Sequence, residues 1–294
     1  MFARRFKLER VINPRYRSLH TMTVVSKKPP TSAPTLVPKK TKEPQTDGAW
    51  IDAHGVGQPY PLTTGSLTAV MPAHPSSETV AVFVNGMLFS ADEHFNALQE
   101  VADATGFPVV GLHNATSSLF EDLLETVRQK LGYGHKDPSV RALTEYLTTG
   151  LETRKDMVLI AHSQGALVVS VALQNVVETM RKKGMTDTQI ESRLKSVRVE
   201  TYGGVASGFP NGPHYRHFVN GQDALPKLIG PGATTLGMWI TKARQLGIDQ
   251  FEPGVHNDAR VTQVDLGVPS ANNGEYMPGH ALELYLGFRA KNKE

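Results

Sequence analysis

Residues 156–171 read DMVLIAHSQGALVVSV. An apolar run ends at Ala161, the residues His162-Ser163-Gln164-Gly165 follow, and a second apolar run begins at once. No loop fits there, so strand must pass into helix through one sharp turn. A serine at that apex carries its hydroxyl over the first free N–H groups of the helix, where developing negative charge is favoured. The apex backbone is strained, and side chains two before and two after it must be small. Ala161 and Gly165 meet that demand. The plainer alternative is a serine that only caps the helix.

A serine needs a base, and the base needs an orienting acid, following it in the order Ser, acid, His. Two strand-like runs downstream, 215–219 (YRHFV) lead into NGQDALP, which carries Asp223 just past the carboxyl end. Asp258 precedes the final apolar run and Asp265 lies within it, so both are poorer candidates. The run 259–266 (ARVTQVDL) leads through a Pro-, Asn- and Gly-rich loop to His280. His256 lies before that run, and His214 and His217 lie at or within the preceding one. Two backbone N–H donors must meet the oxyanion. The spacing assigns one to Gln164 and the other to Met87, in Asn85-Gly86-Met87 after the run 80–84, where Gly86 permits close backbone approach. Asn85, Gly86, His162 and Gly165 are the supporting turn residues. His113 and Asn114, expected to end a strand beside that of the serine, are read as pocket lining that serves packing.

The elements that must position these groups are legible as a rhythm. Runs at 80–84, 107–112, 157–161, 197–202, 215–219 and 259–266 are β-rich, and the early ones are continuously apolar, as parallel strands covered on both faces are. Helical patterns lie between them. Residues 92–105 carry Phe95, Leu98 and Val101 and stop at Gly106; Ser118-x-x-Glu121 opens a helix ending at Gly132. Asp137-Pro138 and Thr186-x-x-Gln189 open two more, and residues 164–183, 234–246 and 281–288 are further helices. Residues 62–72 are expected to add an antiparallel edge strand. Repeated βα units give an open, mostly parallel sheet, whose reactive groups collect at the strand carboxyl ends.

In FVNGM, IAHSQGAL, VNGQDALP and GHALELYL the chain resembles the α/β-hydrolase superfamily, in its lipase- and esterase-like branch. The resemblance spans roughly residues 78–290, with Ala161 where a glycine is commoner. It implies an α/β-hydrolase-like fold and a Ser163–Asp223–His280 triad that cleaves a carboxylic ester or lipid-like acyl substrate through an acyl-enzyme. No lid or acyl-binding segment stands out. The alternative is a catalytically silent scaffold of the same fold that acts as a binding protein.

Composition sets the remaining bounds. The 294 residues include no cysteine, which excludes disulfides and a thiolate nucleophile. No phosphate-binding glycine pattern or metal-ligand spacing occurs, so neither cofactor nor metal is expected. Net charge is +3, yet residues 1–42 hold 11 Lys or Arg against Glu9 alone, leaving 20 basic and 27 acidic residues elsewhere. The basicity belongs to a tail, and no nucleic-acid partner is expected of the body. Residues 1–48 are read as a disordered, Pro-rich tail and 49–294 as the hydrolase-like domain. The Arg-rich, acid-poor start fits a solvated extension of a cytoplasmic protein, an organelle-targeting peptide or a leader for specialised secretion. Peripheral membrane contact through this tail is compatible with its charge, and no apolar stretch reaches the ~18 residues of a membrane span.

Overall fold

The computed structural model describes residues 46–55, 57–58, 67–87, 89–115, 137–206, 208–223, 260–264, 266 and 280–292. The chain divides into two units, and all of these residues belong to the second, Gln45–Glu294. The described strands are β1 (Trp50–Ile51), β2 (Gly57–Gln58), β3 (Ala81–Val84), β4 (Val109–Leu112), β5 (Met157–His162), β6 (Val197–Tyr202), β7 (His214–Asn220) and β8 (Arg260–Val264). The described helices are α1 (Ala91–Thr105), α2 (Pro138–Glu152), α3 (Gly165–Lys182), α4 (Asp187–Leu194) and α5 (Leu282–Lys291).

The strands form one sheet in the order β2-β1-β4-β3-β5-β6-β7-β8. β3 to β8 run parallel, while β1 is antiparallel to both β2 and β4. The antiparallel edge therefore comes from residues 50–51 and 57–58. Within the stretch 62–72, Val70 makes an isolated antiparallel bridge to Val109, and residues 62–66 lie outside the described residues. The helices expected at 118–132 and 234–246 also lie outside them.

Alternation along the central strands sends successive side chains to opposite faces. Val82, Val84, Leu159, Ala161, Val197 and Val199 join a core under α2 and α3. Ala81, Phe83, Val158, Ile160 and Tyr202 join a second core with α1 and α5. Burial on both faces explains why the early strands are unbroken apolar runs. Helix limits follow local chemistry. Ser90 and Glu93 form a capping box on α1, and Gly106 ends it at φ +78°. Asp137 caps α2 ahead of Pro138, and Thr186 with Gln189 boxes α4.

One topological detail locates the site. From β3 the chain moves through α1 to β4 on one side, and after β4 it returns past β3 to β5 on the other. The carboxyl ends of β3 and β5 thus flank a topological switch point, the place where ligands of open parallel sheets generally bind. The segment after β3 begins Asn85-Gly86-Met87, and the one after β5 is Ser163-Gln164.

Candidate active site

Ser163 stands between the end of β5 and the start of α3 with φ +51°, a left-handed backbone that non-glycine residues seldom adopt. Its N–H donates to the Tyr202 carbonyl at 3.0 Å, and its own carbonyl accepts from Val205 N–H at 3.2 Å. The end of β6 therefore pins the turn. α3 has no side-chain cap, so the capping role considered for Ser163 is absent. A Cβ on Gly165 would run into the carbonyl oxygens of Val84 and Asn85, the latter at 2.7 Å. A Cβ on Gly86 would lie 2.9 Å from Ser163 Cβ and 3.0 Å from His162 Nδ1. Both glycines let the segment after β3 close on the serine.

Asp223 follows β7 in a turn whose N–H bonds the Asn220 carbonyl at 3.0 Å, and it is buried. His280, 57 residues later, donates from Nδ1 to Asp223 Oδ2 at 2.6 Å. A carboxylate only accepts, so Nδ1 carries a proton, and in the neutral imidazole Nε2 is then the acceptor. That Nε2 is buried and has no hydrogen-bond partner. A proton acceptor with its tautomer fixed is the arrangement a general base requires. Gly203, at φ +56°, passes so close that a Cβ would meet Asp223 Oδ2 at 3.0 Å and His280 Nδ1 at 3.1 Å.

Two features of this support were not legible in the sequence, the Tyr285 hydroxyl and the hydrogen bonds of Asn114, a residue expected only to line the pocket by packing. Tyr285, wholly buried on α5, donates to Asp223 Oδ2 at 2.7 Å and accepts from Asn220 N–H at 3.1 Å. Burial, then the neighbouring Asp223 charge, pushes its hydroxyl pKa up, so it stays a donor. A tyrosine beside Leu282 and Leu286 on the buried helix face was the available signal, because a buried phenol needs a partner. Asn114 is the other. Asn85 donates to the carbonyls of Gly86 (2.7 Å) and Asn114 (2.9 Å) and accepts from Asn114 N–H at 2.8 Å. Asn114 in turn donates from Nδ2 to Gln164 Oε1 at 3.0 Å. One buried chain of amides thus joins the loops after β3, β4 and β5. Met87 lies half-buried in the turn after Gly86, and Gln164 is buried next to Ser163.

The expectation for His113 and Asn114 needs correction. β4 lies beside β3, not beside the serine strand, and Asn114 joins the site through its backbone bonds to Asn85 and its side-chain bond to Gln164. His113 and His94 bury their Nδ1 atoms 3.3 Å apart. Burial lowers the pKa of His113 to about 4 and, with His113 nearby, that of His94 well below its usual value. Among the other histidines, His217 bonds Thr201 Oγ1 at 2.8 Å within the sheet, and His256 lies outside the described residues. The same holds for Asp258 and Asp265. No group of three metal-ligating side chains occurs among the described residues. No described helix is long and apolar enough to cross a membrane.

Sequence comparison matches the chain to no family model and to no curated protein. Solved structures give matches of low identity. A Xanthomonas campestris protein assigned to the alpha/beta hydrolase superfamily is 16% identical, with TM-score 0.33, covering 73% of this chain and 95% of its own. A second, from the same species and described as an α/β serine hydrolase without a lid, is 11% identical, with TM-score 0.34, covering 67% and 76%. Lipase B of Aspergillus fumigatus is 12% identical, with TM-score 0.34, covering 67% of this chain and 47% of the lipase. At TM-scores this low these likenesses carry no argument, and the fold is read from the chain's own topology. With its parallel sheet, its β3–β5 switch point and a left-handed serine between β5 and α3, the chain has an α/β-hydrolase-like fold.

Proposed function

We propose that the protein is a serine hydrolase that cleaves a carboxylic ester or lipid-like acyl substrate. The observation that carries this reading is the left-handed backbone of Ser163 at the strand-to-helix turn, a strain that a capping or packing serine has no use for. In this reading Ser163 Oγ attacks the acyl carbon while His280 Nε2 takes the hydroxyl proton. Asp223 keeps the imidazole oriented and stabilises its positive charge without taking the proton. The N–H groups of Gln164 and Met87 hold the oxyanion of the tetrahedral intermediate. Collapse breaks the bond to the leaving oxygen, which receives the proton from His280. Water, deprotonated by the same nitrogen, then attacks the acyl-enzyme and frees the acid and Ser163. His280 Nε2 is not yet engaged with Ser163 in the free protein, and such bonds commonly tighten only when substrate binds.

A fluorophosphonate probe tests the reading. It should label Ser163, with competition by p-nitrophenyl esters of graded chain length reporting the acyl preference. A folded protein that takes no label and hydrolyses none of these esters would instead be a binding scaffold.

A further inference from the structure

The proposed reaction leaves one buried side chain beside the nucleophile without a task. His162 ends β5, immediately before Ser163, and is 5% exposed. Its Nε2 lies 2.9 Å from the backbone carbonyl of His280. A carbonyl only accepts, so Nε2 carries the proton and Nδ1 is bare. That Nδ1 is buried without a partner, and it faces Gly86, where a Cβ would come within 3.0 Å. The imidazole therefore fills the gap between the glycine of the segment after β3 and the backbone of His280. Its ring lies 5.0 Å from the His280 ring, and Phe89 packs edge-on at 6.2 Å.

We propose that His162 is a positioning residue, whose Nε2–H tethers the His280 backbone and whose ring sets the spacing between that backbone, Ser163 and Gly86. The inference rests on the hydrolase reading above. α5 begins two residues after His280, and its N-cap, Ala281, offers no side-chain cap. The tether from β5 supplies an anchor that the helix start does not. A rigid ring holds this spacing better than a flexible amide. It must also stay uncharged, since His280 becomes an imidazolium 5.0 Å away during the reaction. Burial, then the nearby His280, holds the His162 pKa down to about 3.

The test compares kcat and KM for wild type, His162→Gln, His162→Met and His162→Phe. Glutamine can place an N–H near the position of Nε2, whereas methionine and phenylalanine fill space without donating. Misplacing a reacting group by about 1 Å costs on the order of 10²-fold. The Met and Phe variants should therefore lose roughly 30–100-fold in kcat with KM within about twofold, and Gln should stay within roughly fivefold of wild type. Wild-type kcat in either non-donor, or a loss in Gln equal to that in Met, would overturn the proposal. If neither non-donor folds, 15N NMR of wild-type histidines decides at pH 7. A neutral ring protonated on Nε2 supports the tether, and a bare Nε2 or an imidazolium overturns it. Absence of Ser163-dependent turnover in wild type would instead overturn the hydrolase reading, and this inference with it.

Discussion

Replacing Tyr285 with phenylalanine removes one oxygen from behind the Asp223–His280 pair and leaves the ring packing in place. Two hydrogen bonds are lost, that to Asp223 Oδ2 at 2.7 Å and that from Asn220 N–H at 3.1 Å. The first is assisted by the carboxylate charge and the second by burial, so together they are worth about 3 kcal/mol. For a domain of this size such a loss lowers Tm by roughly 6–12 °C. Asp223 also loses a restraint on the oxygen that receives His280 Nδ1 at 2.6 Å. The imidazole should then sample misaligned orientations, lowering kcat about 10-fold with little change in KM, because Tyr285 is wholly buried and does not touch substrate. Thermal denaturation and steady-state kinetics on the same preparation read both effects. An unmoved Tm would refute the hydrogen-bond argument. A lowered Tm with wild-type kcat would confine Tyr285 to stability and detach it from Asp223 alignment.

Gly86→Ala should fold with a loss of about 1–3 kcal/mol and drop kcat roughly 100-fold, since its Cβ would sit 2.9 Å from Ser163 Cβ; undiminished turnover would count against the close approach. Gly165→Ala is expected to be far harsher, because its Cβ meets the Val84 and Asn85 carbonyls rather than a side chain that can yield, and soluble expression of a stable variant would contradict that packing. Acid should destabilise the fold through buried imidazoles. His113 and His162 have pKa values lowered to about 4 and about 3, and His94 is lowered as well. The unfolded chain takes up protons on these histidines below about pH 6.5 while the folded chain does not. Stability from them is therefore complete above that pH and falls as pH drops toward the folded values, by about 2 kcal/mol each for His113 and His162 at pH 5, with His94 acting in the same direction. Urea denaturation at pH 7, 6 and 5 measures this, and a flat free energy would count against it.

The parallel strands were legible because burial on both faces writes itself as unbroken apolar runs, from VAVFV to MVLIA. The helix limits were legible where a cap has its own chemistry, as at Ser90, Asp137 and Thr186. Lateral order was not. Nothing in the sequence states that β3 separates β4 from β5, so the strand ending at Asn114 reads as the serine strand's neighbour although β3 lies between them. The two-residue strands at Trp50 and Gly57 are too short to show a period, whereas residues 62–72 carry a pattern that reads as an edge strand. At the site, Ser163 and the Asp223–His280 pair followed from their positions after strands. The role of Tyr285 and the hydrogen bonds among Asn85, Asn114 and Gln164 did not, because the partners lie up to 62 residues apart in sequence and meet only across the sheet end.

The hydrolase reading turns on one hydroxyl. Ser163→Ala keeps a small side chain at the φ +51° apex, so Tm should move by no more than about 2 °C. The variant should take no fluorophosphonate label, and its kcat on the best p-nitrophenyl ester should fall at least ~10³-fold. The decisive measurement is that kcat, set beside wild type at equal folded concentration. A loss of this size with the fold intact is what the account predicts; an esterase rate equal to wild type would contradict it outright.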